Sequence, residues 1–369
     1  MILTFTGDIC ITGSFLEKVE SNTEIFSSEI QSELTKSSFV IGNLEGPTTA
    51  LGKSINHNTP LKSPKNTINY LVNRNISIFN LANNHILDYG EQGLKETICQ
   101  IKNEGALNFG ANLNIEKVIT PILLKKEGVS AAIFSIAKTT PSIIGSAQVF
   151  SSNDFSLLKK QIEAFKKKVD FIIINFHGGE EYTQFPSPVK RKFLKKIAAL
   201  ESVDCVIAHH SHTLQGYEKY KNAYIFYSLG NFIFDIPNHK MYEKTNKGAL
   251  LKLHFSKDSF TFSFVPFQIK TGEIIPSDLD IFNTEIKKLS DFNDYQKKWQ
   301  KDAFRVLFRK ENPLFDYNLE KDDALQKKSF LSILFSKKFY KKINSILRDR
   351  YQFSIYFNAI VYKMKKKIS

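Results

Sequence analysis

Val203–Thr213 reads VDCVIAHHSHT, a short apolar run that ends in three histidines within four residues, His209, His210 and His212. A β-branched run of this length, bounded by polar residues, predicts a buried strand. Packing gives no reason for three imidazoles in four positions, so at least two of them are read as metal contacts. Moving outward, the same grammar returns. Ile2–Thr6 ends in Gly7-Asp8, Ser38–Ile41 in Gly42-Asn43-Leu44-Glu45, Ile76–Ala82 in Asn83-Asn84-His85, and Phe171–Phe176 in His177-Gly178-Gly179. Helical signals lie between these runs. Glu91–Glu104 is capped by Gly105, Phe155–Lys168 follows Asn153-Asp154, and Ser187-Pro188 opens a helix through Leu200. Strands alternating with helices predict an α/β fold with a largely parallel sheet. Beyond Tyr224 the segments Tyr224–Phe234, Ala249–Phe255 and Ser259–Ile269 are strand-like, with Lys257-Asp258 as a hairpin turn, so an antiparallel part is expected there.

All five polar clusters follow the C-terminal end of a predicted strand, the edge at which open α/β sheets bind ligands. Asp8 and Glu45 offer hard oxygens, Asn84 a carbonyl oxygen, and His177, His210 and His212 imidazole nitrogens. A mixed oxygen and nitrogen set without thiolates suits Zn, Mn or Fe, and two such ions neutralise charge in a phosphoryl or acyl transition state. Each residue also has a plainer reading. Asp8 and Asn83-Asn84-His85 could be turn residues, and His177 a satisfied core histidine. Gly178-Gly179 and Gly230 could serve turn geometry or close approach of substrate. Cys10 is read as a small buried residue beside the site, with a thiolate ligand as the alternative. Glu180 is expected to face solvent or support the ligands. Asp88 is expected to cap the helix near Gly90. His57, His239 and His254 carry no motif support, and His254 is taken as structural.

The chain has 369 residues, 42% hydrophobic and 24% charged, which excludes a wholly disordered protein. Its three cysteines, Cys10, Cys99 and Cys205, have no paired spacing, which argues against a disulfide scaffold or a cysteine zinc site. MILTFTGDIC has no basic n-region, and polar residues interrupt every apolar stretch before about 18 residues. The expected location is therefore cytoplasmic, at most peripheral at the inner face of the membrane. The formal charge is +14, yet Lys327–Ser369 holds twelve Lys/Arg against the single acid Asp349, so +11 sits there and about +3 elsewhere. That tail interleaves aromatics with cations. It is read as helices packed on the body with a solvated basic face, or as a membrane-surface segment; nucleic-acid binding is not favoured, because no recognition motif accompanies the charge. A domain boundary is expected near Thr271, giving a catalytic domain over 1–272 and a basic, helical extension over 273–369.

TFTGDI, GNLEGP, LANNHILDYG, FHGGEEYTQFPSP, HHSHTLQGYEKY and YSLGNFIFD, in that order, resemble the CapA family of poly-gamma-glutamate capsule biosynthesis proteins, over roughly residues 1–240. The resemblance implies a calcineurin-like metallophosphoesterase fold: a β-sandwich flanked by helices, with a site for two divalent metal ions. It also implies roles. Asp8 is a first ligand, Glu45 the carboxylate near or between the ions with Asn43 its competitor, Asn84 a ligand of the second ion, and His85 the general acid. His177, His210 and His212 complete the ligands, with Asn43, Glu181, Tyr182, His209 and Asn231 binding substrate or supporting them. Several positions depart from the pattern: Cys10 stands where a histidine is usual, Asn43-Leu44-Glu45 replaces the bridging aspartate motif, and Gly178, Ser211 and Ala208 replace Trp, Pro and Gly. The implied activity is metal-dependent hydrolysis in capsule or cell-surface polymer synthesis, on an anionic polymer or a phosphorylated small molecule. The alternative is a non-catalytic scaffold that binds polymer or joins a membrane complex.

Overall fold

The computed structural model describes residues 1–55, 59–307 and 350–368. His57 and most of the basic tail, residues 327–349 and 369, lie outside the described residues. The first half of the chain supplies β1 (Ile2–Ile9), β2 (Phe39–Leu44), β3 (Ile78–Asn80), β4 (Leu107–Phe109), β5 (Ala111–Asn112), β6 (Ile122–Lys126), β7 (Val129–Ala137), β8 (Ile143–Ile144) and β9 (Ala147–Val149). The second half supplies β10 (Phe171–His177), β11 (Cys205–His209), β12 (Tyr217–Tyr220), β13 (Ala223–Phe226), β14 (Asn231–Ile233), β15 (Lys247–Phe255), β16 (Phe260–Lys270) and β17 (Glu273–Pro276). One sheet runs β17-β16-β15-β1-β2-β3-β4, with β14 also on β1; a second runs β12-β13-β11-β10-β7-β6; β5-β9-β8 forms a small third.

The two large sheets face each other because their strands are apolar on both faces. In β10, Phe171 and Ile173 point inward while Ile172, Ile174 and Phe176 point outward. The inner layer joins Leu3, Phe5, Ile41, Ile78, Leu251 and Leu253 of the first sheet to Ile133, Ile173, Ile207 and Phe226 of the second. Outside the first sheet, Val40 and Phe79 pack with helical Ile30, Leu34, Ile68, Leu94 and Ile101. Outside the second, Val206 and Ala208 pack with Leu158 and Ile162 of the helix Phe155–Phe165 and Leu194 and Ile197 of the helix Pro188–Ala198. Each fully buried aliphatic or aromatic side chain contributes about 1.5–3 kcal/mol. The result is the expected β-sandwich flanked by helices.

Two details differ from the sequence reading. The parallel strands fall into two sheets: in the first, β14 and β1–β4 are parallel out to the β4 edge and β15–β17 are antiparallel on the other side; in the second, β7, β10, β11 and β13 are parallel, with antiparallel β6 and β12 at the edges. Tyr224–Phe234 is not a single antiparallel strand, although β13 does pair antiparallel with β12. It splits, β13 pairing parallel with β11 and β14 parallel with β1, because the chain crosses between sheets at Leu229-Gly230. The hairpin turn between β15 and β16 does lie at Ser256–Ser259. The first sheet continues through β17 to Pro276, past the boundary expected at 272. Beyond it, the helix Tyr295–Leu307 packs Trp299, Ala303 and Leu307 against Ile355 and Ala359 of the helix Arg350–Ile368. Among the described residues no helix is long and apolar enough to cross a membrane.

The inner face changes character at one end. Along β2 the inward period runs Ile41 then Asn43; along β3, Ile78 then Asn80; along β10, Ile173, Asn175, His177; along β11, Ile207 then His209. A period of two therefore carries the polar ends into the gap between sheets. β1 breaks the period. Phe5 pairs with Ile41 and Asp8 with Asn43, so β1 has one residue more than β2 here, a bulge that turns Asp8 inward. Gly7 sits at this bulge, and a Cβ on it would lie 2.1 Å from the Gly230 carbonyl oxygen. Gly7→Ala is expected to cost about 2–3 kcal/mol in urea unfolding through overpacking; a cost below measurement error would show that the β1–β14 contact can relax.

Candidate metal centre

Five strand ends and their following loops bring Asp8, Glu45, Asn84, His177, His210 and His212 together at this polar end. Asn43 organises the inner side. Its amide donates to Asp8 Oδ1 at 2.7 Å and lies 3.2 Å from His177 Nδ1, while its carbonyl accepts from Asn80 at 2.7 Å. With Nδ1 turned to Asn43, His177 presents Nε2 to the centre, where Asn84 Oδ1 lies at 2.8 Å, His210 Nδ1 at 3.2 Å and Glu45 Oε1 at 3.4 Å. Asn231, beside Asp8 in the β1–β14 pairing, accepts from His212 Nδ1 at 2.9 Å and donates to the Thr245 carbonyl. His212 Nδ1 is also 3.4 Å from Asp8, and its Nε2 is 3.9 Å from Glu45. His209 is buried against Asp8 at 3.4 Å without a hydrogen bond at either ring nitrogen.

Burial controls the electrostatics. Desolvation, helped by the charge of Asp8 and opposed by His212, pushes Glu45 up to about 7. Desolvation would also raise Asp8, but its neighbours His209 and His212 outweigh it and hold the carboxyl well below its ordinary range. Burial holds His177 and His210 well below the ordinary histidine value, leaving them neutral and able to ligate. Burial would lower His212 too, yet Glu45 and Asp8 raise it to about 9. The backbone is strained at the same place. His210, His212 and Tyr182 all have positive φ, +87°, +55° and +63°.

The donor chemistry fits divalent cations. Among the described residues three sets have ligand atoms within 4.8 Å of one another: Asp8, Glu45 and His212; Glu45, His177 and His210; Glu181, His210 and His212. Both Glu45 carboxylate oxygens are buried with no hydrogen-bond partner. A buried carboxylate left bare is costly, and a cation satisfies it.

The remaining expectations sort on the same geometry. Asp88 does not cap the helix Gly90–Asn103, whose N-cap is Tyr89. It sits 2.7 Å from His85 Nδ1 and accepts from the Leu61 amide. His85 is thereby steered toward Glu45, 4.0 Å from its Nε2. Burial would lower His85, but the Asp88 bond and the Glu45 charge win and raise it. Glu180 does not face solvent: it is buried and accepts from the Ser187 amide. Glu181 lies at the rim, 3.8 Å from His210 Nε2. Tyr182 stacks on Tyr242 at 3.6 Å and lies 6.0 Å from His212. Gly179 has φ +120°, and a Cβ there would meet Lys190 at 2.7 Å, so turn geometry and close packing both require it. Cys10 packs with Leu61 and Phe234, its thiol pushed up by burial, and belongs to none of the three sets. His254 is partly exposed and lies 2.9 Å from the Ser263 hydroxyl.

Two site residues escaped the sequence reading. His239 packs its ring 4.2 Å from His212 and its Nδ1 3.1 Å from the Asn231 amide. No motif marks it; the short helix Pro237–Lys240 carries it in. Asn80 holds Asn43, and the inward period of β3 would have found it.

Glu45 binds its proton more tightly in the fold, at about 7, than at its ordinary 4.5. The metal-stripped fold therefore loses stability as pH rises between those values. Relative to Glu45→Gln, the stripped wild type is expected to lose on the order of 3 kcal/mol between pH 4 and pH 8 in urea unfolding, and added Mn²⁺ to reverse the loss. A difference that stays flat with pH would show that the Glu45 charge is already compensated.

The family model for the bacterial capsule synthesis protein PGA_cap matches residues 2–236. The chain is similar to the capsule biosynthesis protein CapA of Bacillus anthracis, 32% identical over 290 residues that cover 75% of this chain and 69% of that protein. It is similar to the PGA biosynthesis protein CapA of Bacillus subtilis, 27% identical over 323 residues, 83% of this chain and 81% of that one. Among solved structures, the calcineurin-like phosphoesterase YfkN of Bacillus subtilis superposes with a TM-score of 0.40 at 16% identity, over 78% of this chain and 96% of that one. With a family match over most of its length and a relative at this identity, the chain belongs to the PGA_cap family of bacterial capsule synthesis proteins.

Proposed function

We propose that this chain is a metal-dependent hydrolase that cleaves a phosphate ester or a related acyl centre in the building of a capsule or other cell-surface polymer. The observation that carries this reading is the bare, buried carboxylate of Glu45, shared by two of the three donor sets. Asp8, Glu45 and His212 would hold one ion, and Glu45, Asn84, His177 and His210 a second. Nitrogen and oxygen donors without thiolate favour Mn, Zn or Fe. Bound there, the ions supply Lewis acidity and lower the pKa of water.

The chain's own groups do the rest. Asn43 and Asn231 fix the rings of His177 and His212 at Nδ1, so that Nε2 of each faces the centre. Asp88 orients His85, which is the proton donor to the leaving group. Tyr182 and Tyr242 form an apolar wall beside His212. The polymer context comes from the family, whose relatives are named for capsule and PGA biosynthesis. An anionic polymer or a phosphorylated precursor is the matching substrate class.

The test uses the full chain with bound metal measured by mass spectrometry. Its activity is assayed on phosphomonoesters, phosphodiesters and glutamyl polymers. Asp8→Ala and His210→Ala are expected to lose metal and activity together. His85→Asn is expected to keep metal and lower kcat by about 10²–10⁴-fold. A wild-type chain with no metal, and no activity above these variants, would leave the non-catalytic scaffold as the reading.

A further inference from the structure

The loop from Gly178 to Ser187 crosses the open end of the metal centre, and its side chains are sorted with unusual strictness. Glu180 turns inward and is buried on the Ser187 amide. Tyr182 turns away and stacks on Tyr242 with ring centroids 3.6 Å apart. Between them Glu181 keeps a partly exposed side chain, with Oε1 3.8 Å from His210 Nε2. That distance is too long for a hydrogen bond. Two donors that share one ion at about 2.1 Å lie roughly 3–4 Å apart, so it suits a shared ion. Glu181, His210 and His212 together form a donor set on the solvent side of the centre.

What holds Glu181 there comes from elsewhere in the chain. Tyr182 has positive φ, which a loop does not keep unaided. Its amide donates to the Ser211 carbonyl at 2.7 Å, and its carbonyl accepts from the Arg305 guanidinium at 2.9 Å. The buried carboxylate of Asp302 accepts from the amides of Gln184 at 2.6 Å and Phe185 at 3.0 Å. Arg305 donates to the same carboxylate at 2.9 and 3.0 Å. The Tyr295 hydroxyl donates to the Pro186 carbonyl. All three groups lie on the helix Tyr295–Leu307, with Asp302 and Arg305 three residues apart and so on one face. On the inner side, Thr213 and Gln215 donate to the Thr183 carbonyl at 2.6 and 2.9 Å, tying the loop to the His210–His212 segment.

Resting on the metal-binding reading above, we propose that Glu181 is a further metal ligand, closing the solvent side of the ion held by His210, and that Asp302 and Arg305 are the positioning residues that set it. The family match ends at residue 236, so both positioning residues lie beyond the matched part of the chain. Through them the C-terminal helices adjust metal affinity.

Titration of MnCl₂ into the chelator-stripped full-length chain, followed by calorimetry and by the Mn²⁺ paramagnetic resonance signal, tests this. Glu181→Gln is expected to weaken one ion by about 10-fold or more. Asp302→Asn and Arg305→Gln are expected to weaken the same ion by a smaller factor, and Arg305→Lys to recover part of that loss. Thermal melts of the metal-free variants are expected to match the wild type. A Glu181→Gln chain that binds every ion as tightly as wild type overturns the ligand assignment. A Glu181 effect without an Asp302 or Arg305 effect, or one that appears only with a lowered melting temperature, overturns the positioning role. A wild-type chain that binds no Mn²⁺ overturns the metal reading beneath both.

Discussion

The carboxylate of Glu45 is buried at the end of an apolar sandwich with no hydrogen bond of its own, and much of its surroundings follows from that constraint. Taking such a group out of water costs several kcal/mol even after relaxation. The fold does not offset this by hydrogen bonding, as it does for Asp302. It gathers His85, His177 and His212 around the bare oxygens instead, while Asp8 adds a second negative charge. Asparagines then occupy the next layer, where neutral donors and acceptors can fix ring orientation without adding charge.

Much of this was legible from local pattern. Strand runs that end in Asp, Asn or His mark the C-terminal edge, and the His-x-His spacing marks the donor cluster that gathers there. The helices at Gly90–Asn103, Phe155–Phe165 and Pro188–Ala198 carried their own caps or Gly signals, and fell within a few residues of expectation. What failed needed partners distant in sequence. Tyr224–Phe234 reads as one strand because nothing local tells β13 and β14 that they belong to different sheets. Asp88 has the position of a helix cap, but the imidazole of His85 competes for it and wins. His239 has no pattern at all, since the fold alone brings it to His212.

The residues after 272 illustrate a different limit. Composition describes them as a basic extension, which is true of their sum and uninformative about Asp302, Arg305 and Tyr295. These three bond to the backbone of the Gly178–Ser187 loop, which charge counting does not reveal. A segment can therefore look like an appendage in composition and still brace a loop at the rim of the donor cluster.

The bulge in β1 separates two properties that are usually inherited together. Leu3 and Phe5 anchor the strand in the sandwich whatever follows them, whereas the direction of Asp8 depends on one additional residue opposite β2. Loss of that residue would leave the sheet its core and turn the aspartate to the opposite face. Architecture and site geometry in this fold can thus diverge in a single insertion or deletion.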